Sequence, residues 1–161
     1  MKKLSVPTMI ALLLVILVVG TTLAAAASAG KPLPFKGSIE ALENYQVNGP
    51  TMLVMATGSG EATHLGRYTV TYEVAVDLPT GTGSGLSAHY VTANGDSLFA
   101  EGSGQATPTD DPSVFVVVEN YTITGGTGRF DGATGSFTED RRVNIQTGVT
   151  SGTISGNIVI P

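Results

Sequence analysis

The chain of 161 residues contains no cysteine and no tryptophan. Without cysteine it can form neither a disulfide nor a thiolate nucleophile, and it cannot be attached to lipid through a cysteine. A helical pattern is also missing, because apolar residues show no sustained period of 3.6 and 21 glycines interrupt the chain. These absences favour a β fold that holds together without covalent cross-links.

The N-terminus has the pattern of an export signal. Lys2 and Lys3 form a positive start, residues 9–19 are an apolar run, and residues 27–29 read Ala-Ser-Ala, a small-x-small cleavage site. We therefore expect residues 1–29 to be a cleaved signal peptide and residues 30–161 to be a secreted domain, extracellular or periplasmic. The alternative is a membrane anchor, but the apolar core is shorter than the roughly 20 residues that span a bilayer.

Positive charge is scarce in the expected mature chain. Counted from Gly30, six Lys or Arg face thirteen Asp or Glu, a net charge of −7 with His neutral. Nucleic-acid phosphates and anionic lipid headgroups both bind basic surfaces. We therefore expect no nucleic-acid partner and no membrane partner after signal cleavage, and the charge serves to keep an exported domain soluble.

Alternation of apolar and polar residues dominates the mature chain. Between residues 67 and 77, for example, Tyr68, Val70 and Tyr72 share one face while Thr69 and Thr71 share the other. Turn signals divide the rest into eight predicted strands, at residues 35–42, 51–63, 67–77, 85–93, 97–107, 114–124, 135–147 and 152–160. Eight strands joined mostly by short turns predict an all-β, eight-stranded antiparallel up-and-down β-barrel, wide enough to be filled by side chains or to hold one small ligand.

Two other β architectures compete with this prediction. A β-sandwich would also use short alternating strands. An outer-membrane barrel would suit an exported chain, but aromatic residues are too few for interfacial girdles, several strand faces carry Glu or Asp, and the chain ends in Pro161. The short hairpins favour the small closed barrel.

A glycine-rich corner joins the sixth and seventh predicted strands. Five glycines fall within residues 125–135, around the aromatic Phe130, as a chain needs when it turns sharply and packs an aromatic against its own backbone. The run resembles the GGTG-x-F-x-x-A-x-G signature of dirigent proteins and, more loosely, the same corner of allene oxide cyclases and of bacterial secreted proteins that share their barrel. The positions that match are expected to be structural: Gly125, Gly126, Gly128, Phe130 and Gly135.

The resemblance implies a calycin-like barrel of the allene oxide cyclase/dirigent type. Allene oxide cyclases bind a fatty-acid epoxide and steer its cyclisation, and dirigent proteins shape phenolic radical coupling or ring closure with acidic residues, Arg or Tyr in the barrel. Plant members oligomerise, so a homo-oligomer is left open. No catalytic residue transfers, because the cyclase cysteine has no counterpart and the dirigent acidic motifs do not occur around Glu40, Glu43 or Glu61.

Charged residues interrupt two apolar rows on neighbouring predicted strands. One row holds Phe115, Val117, Glu119, Tyr121 and Ile123, and the next holds Phe137, Glu139, Arg141, Val143 and Ile145. If both rows point inward, their polar members form a cluster inside an apolar cavity, where buried charges must be paired or one carboxylate must be neutral. The ligand-binding candidates are Phe115, Glu119, Tyr121 and Arg141, and the catalytic candidates are Glu119 and Glu139.

A structural interpretation competes with this site. Glu119 or Glu139 could pair with Arg141 across neighbouring strands on the solvent face, because one sequence does not fix which face is inside. Three hypotheses remain open: a barrel that binds a small apolar or amphipathic molecule, a packed structural or surface barrel without ligand, and an isomerase or cyclase acting on a lipid-like or phenolic substrate. We rank them in that order.

Metal and nucleotide chemistry find no support in the motifs. His64 and His89 are the only histidines and have no clustered third ligand, so no metal is expected. The glycine runs lack a Gly-Lys-Ser/Thr phosphate loop. We expect no cofactor.

Overall fold

The computed structural model describes residues 30–161, which form a closed barrel of eight antiparallel strands. The strands, in chain order, are β1 Leu33–Asn48, β2 Thr51–Ala62, β3 Gly66–Asp77, β4 Thr82–Thr92, β5 Ser97–Pro108, β6 Val114–Gly126, β7 Thr134–Asn144 and β8 Val149–Val159. Each strand pairs with the next, and β1 pairs with β8, where Leu33 lies opposite Ile158. The predicted barrel is confirmed, and this closing pair excludes the sandwich. The predicted signal peptide lies outside the described residues.

Alternation along each strand separates the barrel interior from its surface. On β3, Tyr68, Val70 and Tyr72 are buried in the lumen, while Thr69 and Thr71 face solvent. Burial of a large apolar side chain contributes about 1.5–3 kcal/mol. The core of the protein is therefore the lumen itself.

The first strand is longer than predicted, running to Asn48 instead of residue 42. Gly49 and Pro50 make a two-residue turn, so Asn48 pairs directly with Thr51 of β2. The sequence predicted a loop after residue 42 instead. The side chain of Glu43 is buried, and Tyr45 and Val47 continue the inward face of β1.

The last hairpin turns earlier than predicted. The turn was expected at residues 148–151, whereas β7 ends at Asn144 and β8 already begins at Val149. The Asn144 side chain explains the shift, because its Oδ1 accepts hydrogen bonds from the backbone N–H groups of Gln146 and Thr147. Such an Asx turn lets a short polar side chain replace strand pairing.

The glycine-rich corner contains a short 3-10 helix, Gly128–Phe130, which the sequence did not predict. Phe130 is fully buried, and a Cβ at Gly126 would lie only 2.5 Å from the Cβ of Phe130. Only glycine permits that approach. Gly125, Gly128 and Gly135 adopt φ angles of +138°, +59° and +139°, which side chains rarely tolerate.

The two ends of the lumen differ. At the end that carries the β2–β3, β4–β5 and β6–β7 connections, here called the packed end, aromatic rings fill the interior. The Phe137 ring lies 5.2 Å from Phe35, 6.1 Å from Tyr90 and 4.6 Å from Tyr121 between centroids. The opposite end, with the β1–β2, β3–β4, β5–β6 and β7–β8 connections, is called the mouth. None of residues 30–161 forms a helix with the length and apolarity of a membrane span.

Candidate functional site

The mouth opens into a pocket of about 350 Å³ inside the barrel. Its walls are almost entirely apolar and come from seven of the eight strands and two of the mouth connections. The apolar lining side chains are Val47, Met52, Val54, Val74, Val76, Leu78, Ala106, Phe115, Val117, Val143 and Ile145. The volume and the apolar walls lie in the range of small-molecule sites.

The pocket exists because the inward side chains near the mouth are small. Gly83, Gly104 and Ala106 take up little of the lumen on β4 and β5, and valines occupy most facing positions. Among the described residues that line the pocket, the aromatic rings are those of Phe115 and Tyr45. An eight-stranded barrel is just wide enough for large side chains to close its centre, so small ones leave a space.

Charged side chains form the floor of this pocket, between the mouth and the packed end. Glu43, Glu119 and Arg141 all line the pocket and are nearly inaccessible to solvent. Arg141 reaches across the lumen from β7 and joins the other two, which come from β1 and β6. We call these residues, with Glu139, the floor cluster.

Arg141 uses all three guanidinium nitrogens within the protein. Its Nη1 donates to Glu43 Oε1 at 2.5 Å and to Thr150 Oγ1 at 2.9 Å. Its Nη2 and Nε donate to the two oxygens of Glu119 at 2.8 and 3.2 Å. This fork-like pairing with Glu119 is the strong form of a charge-assisted hydrogen bond.

Tyrosine hydroxyls complete the polar contacts of the floor. Tyr72 donates to Glu43 Oε1 at 2.6 Å, and Tyr45 donates to Glu43 Oε2 at 2.9 Å. Tyr121 donates to Glu119 Oε2 at 3.2 Å. Burial raises the pKa of Tyr72, and it also raises the pKa of Tyr121, where the charge of Glu119 adds to the effect. These hydroxyls therefore remain protonated donors.

Two glycines make room for the charged side chains. A Cβ at Gly104 would lie 2.6 Å from Glu119 Cγ, and a Cβ at Gly152 would lie 2.7 Å from Arg141 Cγ. Gly104 on β5 pairs with Glu119 on β6, and Gly152 on β8 pairs with Arg141 on β7. The strand glycines near the floor therefore permit two bulky charged groups inside a narrow barrel.

Glu139 lies directly opposite Glu119 on the neighbouring strand and is completely buried. Its Oε1 is 2.9 Å from Arg141 Nε, but that N–H points at Glu119, and neither Glu139 oxygen has a hydrogen-bond partner among residues 30–161. Burial raises the pKa of Glu139 to about 8; the Arg141 charge opposes this rise and Glu119 adds to it. Glu139 is therefore largely neutral at pH 7.

Arg141 stays charged in this environment. Burial alone would lower its pKa, but Glu119, Tyr72, Glu43 and Glu139 outweigh burial and raise the pKa well above its ordinary value. One cation thus faces three carboxyl groups, of which Glu139 is the one without hydrogen bonds.

The structure brings the predicted site residues together on the inward face. Glu119, Tyr121, Glu139 and Arg141 are all buried in the lumen, and Phe115 lines the pocket near the mouth. Tyr121 points toward the packed end and reaches the pocket only through its bond to Glu119. Their roles in binding or catalysis remain predictions.

Sequence reasoning missed Glu43 of the floor cluster, and it missed Tyr72 and Thr150, which hydrogen-bond to the cluster. Glu43 follows Phe35 and Ile39 at even spacing, so continuing the alternation of β1 would have placed it inside. Tyr72 was placed on the apolar face of β3 without a partner. Thr150 had no signal, because the predicted turn covered it.

The two histidines lie away from the pocket. His64 is in the β2–β3 turn, and His89 is on the outer face of β4, where its Nε2 lies 2.9 Å from Ser97 Oγ. Among residues 30–161, no group of three or more His, Cys, Asp or Glu side chains is arranged to hold a metal ion.

No protein-family model, curated protein or solved structure matches this chain. The pocket and its floor cluster are therefore the features from which a function can be inferred.

Proposed function

We propose that the protein binds a small apolar or amphipathic molecule in the mouth pocket. The observation that carries this proposal is the contrast within one lumen, where aromatic rings fill one end and the other end keeps about 350 Å³ of apolar space. An apolar wall stabilises the body of a ligand, and the few polar groups of the floor orient it.

The rim of the mouth supports the same function. Val47, Leu78 and Ile145 are 65%, 45% and 41% exposed, and all three also line the pocket. Exposed apolar side chains that surround an opening mark sites where apolar partners bind. A ligand therefore meets apolar surface before it reaches the interior.

The two alternative functions fit the geometry less well. A purely structural barrel would fill its lumen, and this lumen has space at the mouth. An isomerase or cyclase needs its acid or base at the substrate, but Glu139 does not line the pocket and both oxygens of Glu119 already accept hydrogen bonds from Arg141. Binding without turnover is the better-supported function.

We also propose that the protein is exported and belongs with the allene oxide cyclase/dirigent-like barrels. The leader pattern of residues 1–29 supports export, and the GGTG-x-F-x-x-A-x-G run at the β6–β7 corner supports the resemblance. Intact-mass analysis of protein from the culture medium or periplasm tests export, with a chain beginning at Gly30 as the expected result.

Ligand binding is tested with the purified protein and a blocked variant. Native mass spectrometry searches for a co-purified small molecule, and a neutral fluorescent hydrophobic probe measures binding in solution. Val117→Trp places a large ring in the pocket and is expected to abolish probe binding. Val118→Trp is the matched control, because Val118 is the next residue on β6 and points outward.

The outcome depends on the difference between the two variants. Loss of binding in Val117→Trp with retention in Val118→Trp supports the pocket. Equal binding by both variants, or no binding by the unmodified protein and no thermal stabilisation across a lipid and phenolic panel, would overturn the proposed function.

A further inference from the structure

The floor cluster also restricts the chemistry of the ligand. Resting on the proposed function, we infer that the pocket selects hydrophobic amines, whose ammonium group lies against Glu43 and Glu119, and rejects hydrophobic carboxylates of the same size. The inference concerns only the polar end of the ligand, because the apolar walls accept either kind of chain.

The floor of the pocket has more negative than positive charge. Arg141 is the only Lys, Arg or His among the described residues that line the pocket, and it contacts three carboxyl groups. With Glu139 neutral the floor has a net charge of −1, and with Glu139 ionised it has −2. In either state an ammonium group is attracted and a carboxylate is repelled, at short range and away from bulk water.

The carboxylate oxygens of the floor can accept further hydrogen bonds. Within the described structure, Glu43 Oε2 accepts one hydrogen bond, from Tyr45, and Glu119 Oε1 accepts one, from Arg141 Nη2. Each carboxylate oxygen can accept about two. The floor therefore offers acceptors to a ligand. Of the Arg141 donors, Nε and Nη1 are directed at protein oxygens, and Nη2 makes one hydrogen bond, to Glu119 Oε1. A ligand ammonium group finds two carboxylate oxygens that can accept from it, whereas a ligand carboxylate finds only the second N–H of Nη2, which lies beside Glu119.

Charge around the mouth points the same way. Asp77 ends β3 at the mouth, and Asp110 and Asp111 lie in the β5–β6 connection, which is also at the mouth. Four of the six cations in residues 30–161 lie toward the packed end, namely Lys31, Lys36, Arg67 and Arg129. Arg142, on the outer face of β7, is the cation near the mouth, so acidic groups outnumber basic ones there. An excess of charge of one sign around an opening raises the local concentration of oppositely charged ligands.

This selectivity separates the protein from what the family resemblance implied. A fatty-acid substrate would bring a carboxylate toward Glu43 and Glu119, where it would lie close to like charges. Placing its apolar end at the floor would instead set a hydrocarbon against buried ionic groups, which lose their remaining solvation. Neither orientation is favourable, so the floor disfavours hydrophobic carboxylates relative to hydrophobic amines.

A head-group series tests the inference on the unmodified protein. Decylamine, decanol and decanoate share one chain and are compared at pH 7 by displacement of the neutral probe. We expect decylamine to bind about tenfold more tightly than decanol, and decanoate at least about tenfold more weakly than decanol. Each tenfold step corresponds to about 1.4 kcal/mol.

The outcomes separate this inference from the proposed function. Binding of all three with equal affinity, or tighter binding of decanoate, would overturn the amine selectivity while leaving a binding barrel intact. Binding of none, with the probe also unbound, would overturn the proposed function itself. Decylamine that binds Val117→Trp as well as the unmodified protein lies outside the pocket, which also overturns the inference.

Charge-neutralising variants locate the selectivity. Glu43→Gln and Glu119→Gln each remove one floor charge, and either should reduce the ratio of amine to carboxylate affinity about tenfold while decanol affinity stays the same. Glu40→Gln is the matched control, because it removes one charge from the outer face of β1. An equal change in Glu40→Gln would show that net charge, not the floor, controls selectivity. If a floor variant does not fold, the head-group series still decides.

Discussion

The packed end and the mouth are built by the same eight strands with the same alternation, yet one is filled and the other is open. At the packed end Phe35, Phe137 and Tyr121 are buried and in ring contact. At the mouth most inward positions hold valine, alanine or glycine, such as Val117, Val143 and Gly104, although the ring of Phe115 also lines the wall. The same eight strands pair at both ends, with register shifts in the β3–β4, β4–β5 and β5–β6 pairs, and the inward side chains differ in volume between the filled end and the open one.

The difference divides stability from binding within one core. Close-packed aromatic rings contribute buried area and ring contacts, which hold the barrel closed. Valines around an opening contribute less and leave space that a ligand can use. The floor cluster lies between these regions and separates the half of the lumen filled by aromatic rings from the accessible half.

The largest expected effect is at the packed end. Phe137→Ala removes a ring that contacts three other aromatic side chains and leaves an enclosed cavity, so we expect a loss of about 4 kcal/mol in the free energy of unfolding. Val117→Ala at the mouth should cost about 1 kcal/mol, because water already reaches that space. Urea denaturation of both variants measures the contrast. Equal losses would mean that the two ends are packed alike.

The next effect is at the floor between the two ends. Arg141→Met leaves three carboxyl groups without their cation, and we expect a loss of about 3 kcal/mol at pH 7. Without the cation, the pKa values of these carboxyl groups are higher in the folded variant than in its unfolded state, where they are about 4.3. The free energy of unfolding therefore falls as pH rises past about 4.3 and recovers below it. Urea denaturation at pH 4 and pH 7 should show a smaller deficit at the lower pH. Arg141→Lys keeps the charge but loses the two-point contact with Glu119. Its free energy of unfolding should lie between those of the unmodified protein and Arg141→Met.

The packed end was easier to predict from the sequence than the floor. Alternation of apolar residues and the glycine-rich corner indicated eight strands and an inward Phe130, since both signals are local in the chain. The cluster of Glu119, Glu139 and Arg141 was also predicted, as two interrupted apolar rows. Which face of those rows is inside depends on barrel closure, a long-range property that the pattern of one strand does not contain.

Glu43 was not predicted as part of the floor cluster, for a specific physical reason. Glu43 fell in the loop predicted after residue 42, and a Glu side chain is rarely fully buried unless it is paired. Its burial is stabilised by Arg141, which is 98 residues away in the chain. No local signal reports a partner at that distance. The pocket volume was likewise beyond the sequence, because it depends on which small residues meet across the lumen.

A smaller effect is expected from the floor carboxyl that lacks hydrogen bonds. Glu139 has a folded pKa of about 8, raised above its unfolded value near 4.5. Between these values the folded state holds a proton that the unfolded state has lost, so stability falls as pH rises from about 4.5 to about 8 and then levels off. Glu139→Gln removes this dependence and should be more stable than the unmodified protein at pH 9, by on the order of 2 kcal/mol.

The measurement for Glu139→Gln is the difference in unfolding free energy between the two proteins from pH 5 to pH 9. Using the difference cancels groups common to both, such as Asp111, whose pKa is lowered by its hydrogen bonds with Ser113. The series ends at pH 9, below the ordinary tyrosine pKa of about 10. Burial raises the pKa of the tyrosines further in the folded barrel, so their ionisation does not contribute to the difference. A difference that does not change with pH would mean that Glu139 is ionised in the folded protein at pH 7.

The smallest effect on stability is expected from filling the mouth. Val117→Trp adds a large ring where the lumen is open, so the free energy of unfolding should change by less than about 0.5 kcal/mol. The same kind of enlargement at Ala88, which is buried on β4, should cost about 1–3 kcal/mol or more, because Ala88→Phe has no space to enter. Urea denaturation compares Val117→Trp with Ala88→Phe.

The chain has no other tryptophan, so fluorescence of the ring introduced by Val117→Trp also reports whether it lies in an apolar site. A large loss in Val117→Trp would mean that the mouth is closed in solution, and the distinction between the two ends would then disappear.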